Sequence, residues 1–118
     1  MGQRRAGAGA TVSAGKIYVA GGFDDNAPLS SVEVYDPRQR QVSASLDPSF
    51  SNSFVLKWTL IADMTSPRGG VGLAPLSGNL VAVGGHNGKE YLKSVEIYLV
   101  NEKRWIQVRF NKLINVTF

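Results

Sequence analysis

The apolar positions of this chain fall into short runs, and the runs come in two matching sets. Ile17-Tyr18-Val19-Ala20 and Leu80-Val81-Ala82-Val83 are continuous apolar stretches, each stopped by a double glycine, Gly21-Gly22 and Gly84-Gly85. Runs of this length bounded by Gly fit strands covered on both faces and are too short for ordinary helices. Val32-Glu33-Val34-Tyr35 and Val95-Glu96-Ile97-Tyr98 are β-branched and aromatic with a period of two, a second strand type. The Gly-rich segments Arg5–Gly9 and Arg68–Gly72 each open a further strand, and Trp58 and Trp105 each begin a fourth. No segment carries a 3.6-residue period. The pattern predicts strands near 7–13, 16–21, 31–36 and 58–62, then 70–76, 79–84, 94–99 and 105–109, in an all-β chain.

The two sets are copies of one unit. Lys16–Gly22 recurs as Asn79–Gly85, Leu29–Tyr35 as Leu92–Tyr98, and Arg5–Gly9 as Arg68–Gly72, always 63 positions later. A fixed offset held across three blocks marks a repeat architecture, in which one supersecondary unit is copied and stacked. Four short strands per unit, with turns between them, describe a β-propeller blade.

These residues resemble the kelch repeat: a double glycine after an apolar strand, a Tyr after Ser-Val-Glu, and a Trp a fixed step later. They resemble the kelch-like (BTB-BACK-Kelch) adaptor family more closely still, and Met64-Thr65-Ser66-Pro67-Arg68-Gly69-Gly70-Val71-Gly72 looks like that family's inter-blade segment. The resemblance implies two four-stranded antiparallel kelch blades of an incomplete β-propeller. It divides the chain into a first repeat at 1–65, a second at 66–107 and a non-kelch tail at 108–118. It also implies structural roles for Gly21, Gly22, Tyr35 and Trp58 and for their counterparts Gly84, Gly85, Tyr98 and Trp105.

The repeat breaks in two places. Tyr98 and Trp105 are seven apart, whereas Tyr35 and Trp58 are 23 apart, and removing the 16 residues Val42–Lys57 restores the spacing. The excess is Ser-rich and carries no repeat pattern. After Gln107 the tail Val108–Phe118 also abandons the motif. Both breaks read Gln-Val followed by Ser or Arg, the translation of a splice-donor sequence, so both segments are expected to be translated intron. Met1 occupies the place of Met64 in the inter-blade segment, so the chain is expected to be a fragment. Genomic sequence without GT and AG at these codons would contradict the intron reading.

Composition narrows the chemistry. The 118 residues include no cysteine and one histidine, so no disulfide framework and no Cys-based zinc site is expected, and the chain is expected to be cytoplasmic. No apolar run approaches the length of a membrane span. The net charge of +4 is scattered, two of the positive charges lie in the tail, and no clustered basic face for nucleic acid is expected.

Gly21-Gly22 and Gly84-Gly85 are read as sharp turns near a propeller axis, where no side chain fits, and not as phosphate loops; Gly7-Ala8-Gly9 and Gly70-Val71-Gly72 are not dinucleotide motifs, because no helix follows them. The repetition of Tyr35, Tyr98, Trp58 and Trp105 makes them core between blades and not a ligand-stacking set. Arg5 and Arg68 recur as well, read as structural, with a pocket-lining role at the channel mouth as the alternative. No catalytic, cofactor-binding or metal-ligating residue is expected, and the chain is not expected to be an enzyme.

What differs between the copies is the loop after each double glycine. Asp24, Asp25 and Asn26 in one, and His86, Asn87, Lys89, Glu90 and Tyr91 in the other, are the candidate partner-binding residues. Variable loops on a repeated scaffold are where binding usually resides. The resemblance implies a protein-interaction module that, in a full-length relative, recognises substrates for a cullin–RING ubiquitin ligase. The contact with the ligase would come from domains absent from these residues. The alternatives are an actin- or cytoskeleton-binding kelch protein and a kelch-type propeller enzyme. A kelch oxidase would be expected to show Cys, Tyr and His ligands, and this chain has no Cys.

Overall fold

The computed structural model describes residues 1–38, 41–42, 54–55 and 57–108. Most of the Val42–Lys57 insert and all but Val108 of the tail lie outside the described residues. The first sheet contains β1 (Gly9–Ser13), β2 (Lys16–Ala20), β3 (Val32–Tyr35) and β6 (Trp58–Ile61), in the order β1-β2-β3-β6. The second contains β7 (Gly72–Leu76), β8 (Asn79–Val83), β9 (Val95–Leu99) and β10 (Arg104–Val108), in the order β7-β8-β9-β10. Every pairing in both sheets is antiparallel. No helix occurs among the described residues. The expected strands are all present, each ending within about two residues of its predicted bounds.

Between β3 and β6 the chain makes a short ladder that the repeat pattern does not contain. β4 (Gln41–Val42) pairs with β5 (Phe54–Val55) as a separate two-stranded sheet. Val42, Phe54 and Val55 are strand-favouring residue types. The ladder therefore reflects local propensity inside the insert, which a search for the repeat motif passes over.

The hairpins that open each sheet are copies down to the turn. Ala14-Gly15 joins β1 to β2 and Ser77-Gly78 joins β7 to β8, and all four residues have positive φ, between 49° and 82°. Two positive φ values in a two-residue connection are what a type I′ turn requires, and its twist suits the flanking strands.

Register assigns each side chain to a face, because successive residues of a strand point to opposite sides. On the first sheet, one face carries Ala10, Ile17, Val19, Tyr35 and Trp58, here termed the leading face; the trailing face carries Gly9, Tyr18, Ala20, Val32, Val34 and Ile61. On the second sheet the leading face carries Leu73, Leu80, Ala82, Glu96, Tyr98 and Trp105. The trailing face of the first sheet packs on the leading face of the second. Tyr18, Ala20, Val32, Leu80, Ala82, Tyr98 and Trp105 join Met64 and Val71 there in one hydrophobic core. Trp105 lies 5.2 Å from the Tyr98 ring, and its Nε1–H donates to the Ala62 carbonyl at 2.9 Å, tying the second sheet to the segment that leaves the first. Burial raises the pKa of Tyr18 and Tyr98 above the usual phenol value, with smaller contributions from the charge of Asp36 on Tyr18 and from Tyr18 on Tyr98.

The double glycine serves this packing. A Cβ on Gly21, whose φ is +63°, would sit 2.3 Å from the Arg68 carbonyl oxygen, and the next amide, Gly22 N–H, donates to that same oxygen at 2.9 Å. The backbone of the inter-blade segment passes so close that no side chain fits, and the positive φ independently favours glycine.

Candidate functional site

Each blade is closed at one end by an arginine. The Arg68 side chain is fully buried. Its Nε–H donates to Glu96 Oε2 at 2.9 Å, its Nη1 to the Gly84 and Ser94 carbonyls at 2.9 and 3.0 Å, and its Nη2 to Ser94 Oγ at 2.9 Å. Glu96, also fully buried, accepts in addition from the Thr65 amide at 2.7 Å and the Thr65 hydroxyl at 3.1 Å. Arg5 repeats the arrangement on Glu33, Gly21 and Ser31, and Glu33 accepts in addition from the Gly2 amide. The guanidinium fork thus pins the double-glycine turn to the start of the next strand, with its charge matched by a carboxylate. Four of its five N–H groups are bonded and the side chain is fully buried, so these arginines hold the scaffold. Reasoning from sequence picked out the arginines but missed Glu33, Glu96, Ser31 and Ser94. The signal was present: Ser-Val-Glu recurs at the same 63-residue offset as the arginines, and a repeated Arg with a repeated Glu suggests a pair.

Above this clamp stand the two variable loops, at the opposite end of the blades from the Ala14-Gly15 and Ser77-Gly78 turns. Their backbones are copies. Leu29 N–H donates to the Gly22 carbonyl at 2.8 Å and Leu92 N–H to the Gly85 carbonyl at 2.7 Å, closing each loop at its base. Asp24 N–H donates to the Ala27 carbonyl and Asn87 N–H to the Glu90 carbonyl. Asp24 Oδ1 accepts from the amides of Asn26 and Ala27, both at 2.8 Å, and Asn87 Oδ1 from those of Lys89 and Glu90, both at 2.9 Å. These are Asx turns, in which a short polar side chain organises the backbone that follows it.

Asp24 and Asn87 are therefore loop builders first, and only their remaining carboxylate or amide edge is open to a partner. The residues that differ freely around this shared frame are Phe23 and His86, Asp25 and Gly88, Asn26 and Lys89, Ala27 and Glu90, and Pro28 and Tyr91. The His86 ring meets Tyr91 edge-on at 4.9 Å, and its Nδ1 accepts from the Gly88 amide at 3.0 Å. Tyr91 is 83% exposed. Asp25 faces Arg4 at 3.6 Å with both side chains in solvent, a pair worth little to stability. Phe23 lies over Gly69, leaving no space there for a Cβ, and Gly88 sits against Pro28. The loops thus touch and form one continuous rim, which includes Phe23 and Arg4 as well as the residues singled out by sequence.

The amide bonds from Asn26 and Ala27 hold the Asp24 carboxyl below its usual pKa of 3.8. A depressed folded pKa means that the turn is supported above the unfolded value and loses that support as pH falls through the folded one. Amide exchange at Asn26 and Ala27 should therefore accelerate below about pH 3.8 in the wild type. Asp24→Asn should keep slow exchange across that range, the same being expected of the Asn87 loop, whereas Asp24→Ala should lose it at every pH.

Among the described residues no group of three or more His, Cys, Asp or Glu side chains comes together as a metal site, and no helix is long and apolar enough to cross a membrane.

The chain matches the Kelch motif twice, at residues 4–44 and 67–109. It is 45% identical over 84 residues to Kelch-like protein 8 of Caenorhabditis elegans, covering 70% of this chain and 10% of that protein. It is 35% identical over 84 residues to the mouse Influenza virus NS1A-binding protein homolog, covering 71% of this chain and 11% of that one. The chain thus spans about a tenth of the length of these relatives. Among solved structures, a fungal alcohol oxidase of the AA5 family in complex with copper aligns with a TM-score of 0.68, covering 89% of this chain and 22% of the oxidase at 12% identity. The protein YjhT aligns with a TM-score of 0.65, covering 92% of this chain and 28% of its own at 16% identity. At those identities the two structures speak for the fold alone. Two motif matches laid over two four-stranded antiparallel blades, with the repeated Gly-Gly, Tyr and Trp in the places that build the shared core, make this chain a member of the kelch-motif family.

Proposed function

We propose that the rim made by residues 23–28 and 86–91 is a protein-binding surface, and that in the whole protein these blades recognise substrates for a cullin–RING ubiquitin ligase. The observation that carries the reading is the contrast within the rim. The two loops share a backbone held by the same hydrogen bonds, while the side chains that face solvent differ at every other position. A rigid frame with divergent tips is suited to recognition, because little loop ordering remains to be done on binding. Tyr91, held against His86 and otherwise in solvent, has the character of an aromatic anchor. The similarity to a kelch-like protein over 70% of the chain supports the adaptor role. The ligase contact would be made by BTB and BACK segments, which these residues do not resemble. A cytoplasmic location and a non-enzymatic role belong to the same reading.

The test uses the full-length protein with Tyr91→Ala and Lys89→Ala. Proteins that co-purify with the wild type are identified by mass spectrometry and their affinities remeasured. Loss of an anchor of ~2 kcal/mol corresponds to roughly 30-fold weaker binding. The expected result is that loss for substrate with cullin recovery and thermal midpoint unchanged. Substrate binding indifferent to both substitutions would refute the rim.

A further inference from the structure

The second variable loop contains the only Asn-Gly step in the chain, Asn87-Gly88. An asparagine before a glycine can close on itself, because the next backbone nitrogen lies within reach of the side-chain carbonyl carbon and glycine puts no Cβ in the way. The closure is slow unless one group takes the proton from that nitrogen and others stabilise the charge that develops on the side-chain oxygen. The loop holds a group at each of these places.

The Gly88 amide N–H donates to His86 Nδ1 at 3.0 Å. A lone pair at hydrogen-bond distance from the proton to be removed is the position of a general base. The imidazole is steadied by its edge-on contact with Tyr91 at 4.9 Å. Asn87 Oδ1 accepts from the Lys89 and Glu90 amides, both at 2.9 Å. Two backbone amides aimed at one carbonyl oxygen are the donor set that stabilises a tetrahedral oxyanion. Gly88 itself has a φ of +95°, a conformation that glycine adopts without strain. Base, nucleophilic nitrogen, carbonyl and oxyanion donors all lie within residues 86–90.

The first loop has the frame without the chemistry. Asp24 accepts from the Asn26 and Ala27 amides just as Asn87 accepts from those of Lys89 and Glu90. Where the second loop has His86 and Gly88, the first has Phe23 and Asp25. The turn therefore forms with neither a histidine nor a glycine at these positions, and building the loop does not account for them.

We propose that Asn87 is a self-modifying site, converted through a cyclic imide to aspartate and isoaspartate. The Gly88 nitrogen gives its proton to His86 Nδ1 and forms a bond to Asn87 Cγ, while the carbonyl electron pair moves onto Oδ1 against the two amides. The tetrahedral centre then collapses. The Cγ–Nδ2 bond breaks, the imidazolium returns its proton to Nδ2, and ammonia leaves. Water opens the imide at Cγ to give aspartate, or at the Asn87 backbone carbonyl to give isoaspartate. Both products place a new negative charge in the rim. Aspartate keeps the turn, since Asp24 holds the matching one in the first loop. Isoaspartate runs the backbone through the former side chain, which takes the acceptor away from the Lys89 and Glu90 amides. This chemistry is independent of whether a partner binds the rim.

The test follows the full-length protein in neutral buffer by peptide mapping. Mass spectrometry reads the conversion of amide to acid at each asparagine, and electron-transfer fragmentation separates isoaspartate from aspartate. Asn87 should convert ahead of every other asparagine of this chain, giving both products. His86→Phe installs the residue that the first loop carries and removes the base, so conversion should slow by ~10-fold or more. Hydrogen exchange at the Lys89 and Glu90 amides should be unchanged in that variant, reporting a turn still formed. In urea the wild type and His86→Phe should convert at the same rate, because the Nδ1 contact belongs to the folded loop. An unconverted Asn87, conversion led by another asparagine, or equal rates in the two folded proteins would overturn the proposal.

Discussion

Arg68→Ala should destabilise the chain more than any other single substitution, by ~3–5 kcal/mol, because it leaves the Glu96 carboxylate buried without its cation. Glu96 is fully buried and keeps only the Thr65 amide and hydroxyl once the guanidinium is gone. The Gly84 carbonyl loses the guanidinium in the same step, and the Ser94 carbonyl is left with the Gly84 amide at 3.2 Å. Arg68→Lys should recover little, since an ammonium cannot reach a carboxylate, two carbonyls and a hydroxyl in the planar fork the site is built around. The double change Arg68→Met with Glu96→Leu removes both charges and should recover part of the loss, with the Gly84 carbonyl left without the guanidinium accounting for the remainder. Urea melts of the wild type, Arg68→Met, Glu96→Leu and the double variant, read as a cycle, measure the coupling. Losses that simply add would mean that the pair contributes nothing to the fold.

Trp105→Ala comes next, at ~3–5 kcal/mol for a buried indole truncated in a packed core. The ring is buried between the blades against Tyr98, and its Nε1–H is bonded to the Ala62 carbonyl. From sequence alone Trp58 has an equal claim, since it holds the same motif position. The structure separates the two. Trp58 stacks on Tyr35 at 5.3 Å but is only half-buried, because among the described residues no blade covers the leading face of the first sheet. With about half the burial, Trp58→Ala should cost ~1–2 kcal/mol. Equal losses from both tryptophans would contradict the assignment of faces.

The strands were legible because their signal is local and doubled. Leu80–Val83 confirms Ile17–Ala20, and the double glycine ends both at the same point. The order of strands within a blade follows from short antiparallel connections, and the insert could be subtracted because Tyr35 pairs across to Trp58 as Tyr98 does to Trp105. The short ladder inside the insert was not legible, since it belongs to no repeat. The unequal burial of matched residues was hidden as well: identical motif positions carry no record of which face has a neighbour. At the rim, composition suggested divergence, and Asp24 and Asn87 looked like part of it. Their shared role emerges only from the amides they accept, although Asp and Asn at matched positions are the two residues that build an Asx turn.

Where a partner touches the blades decides most directly whether the loop rim is the recognition surface. A photo-reactive phenylalanine analogue placed at Tyr91 or Asn26 of the full-length protein should cross-link to a substrate protein on irradiation in cells. The same analogue at Ser77, on the turn at the far end of β7 and β8, should not. Adducts from Ser77 with none from Tyr91 or Asn26 would contradict the assignment of recognition to the loop rim.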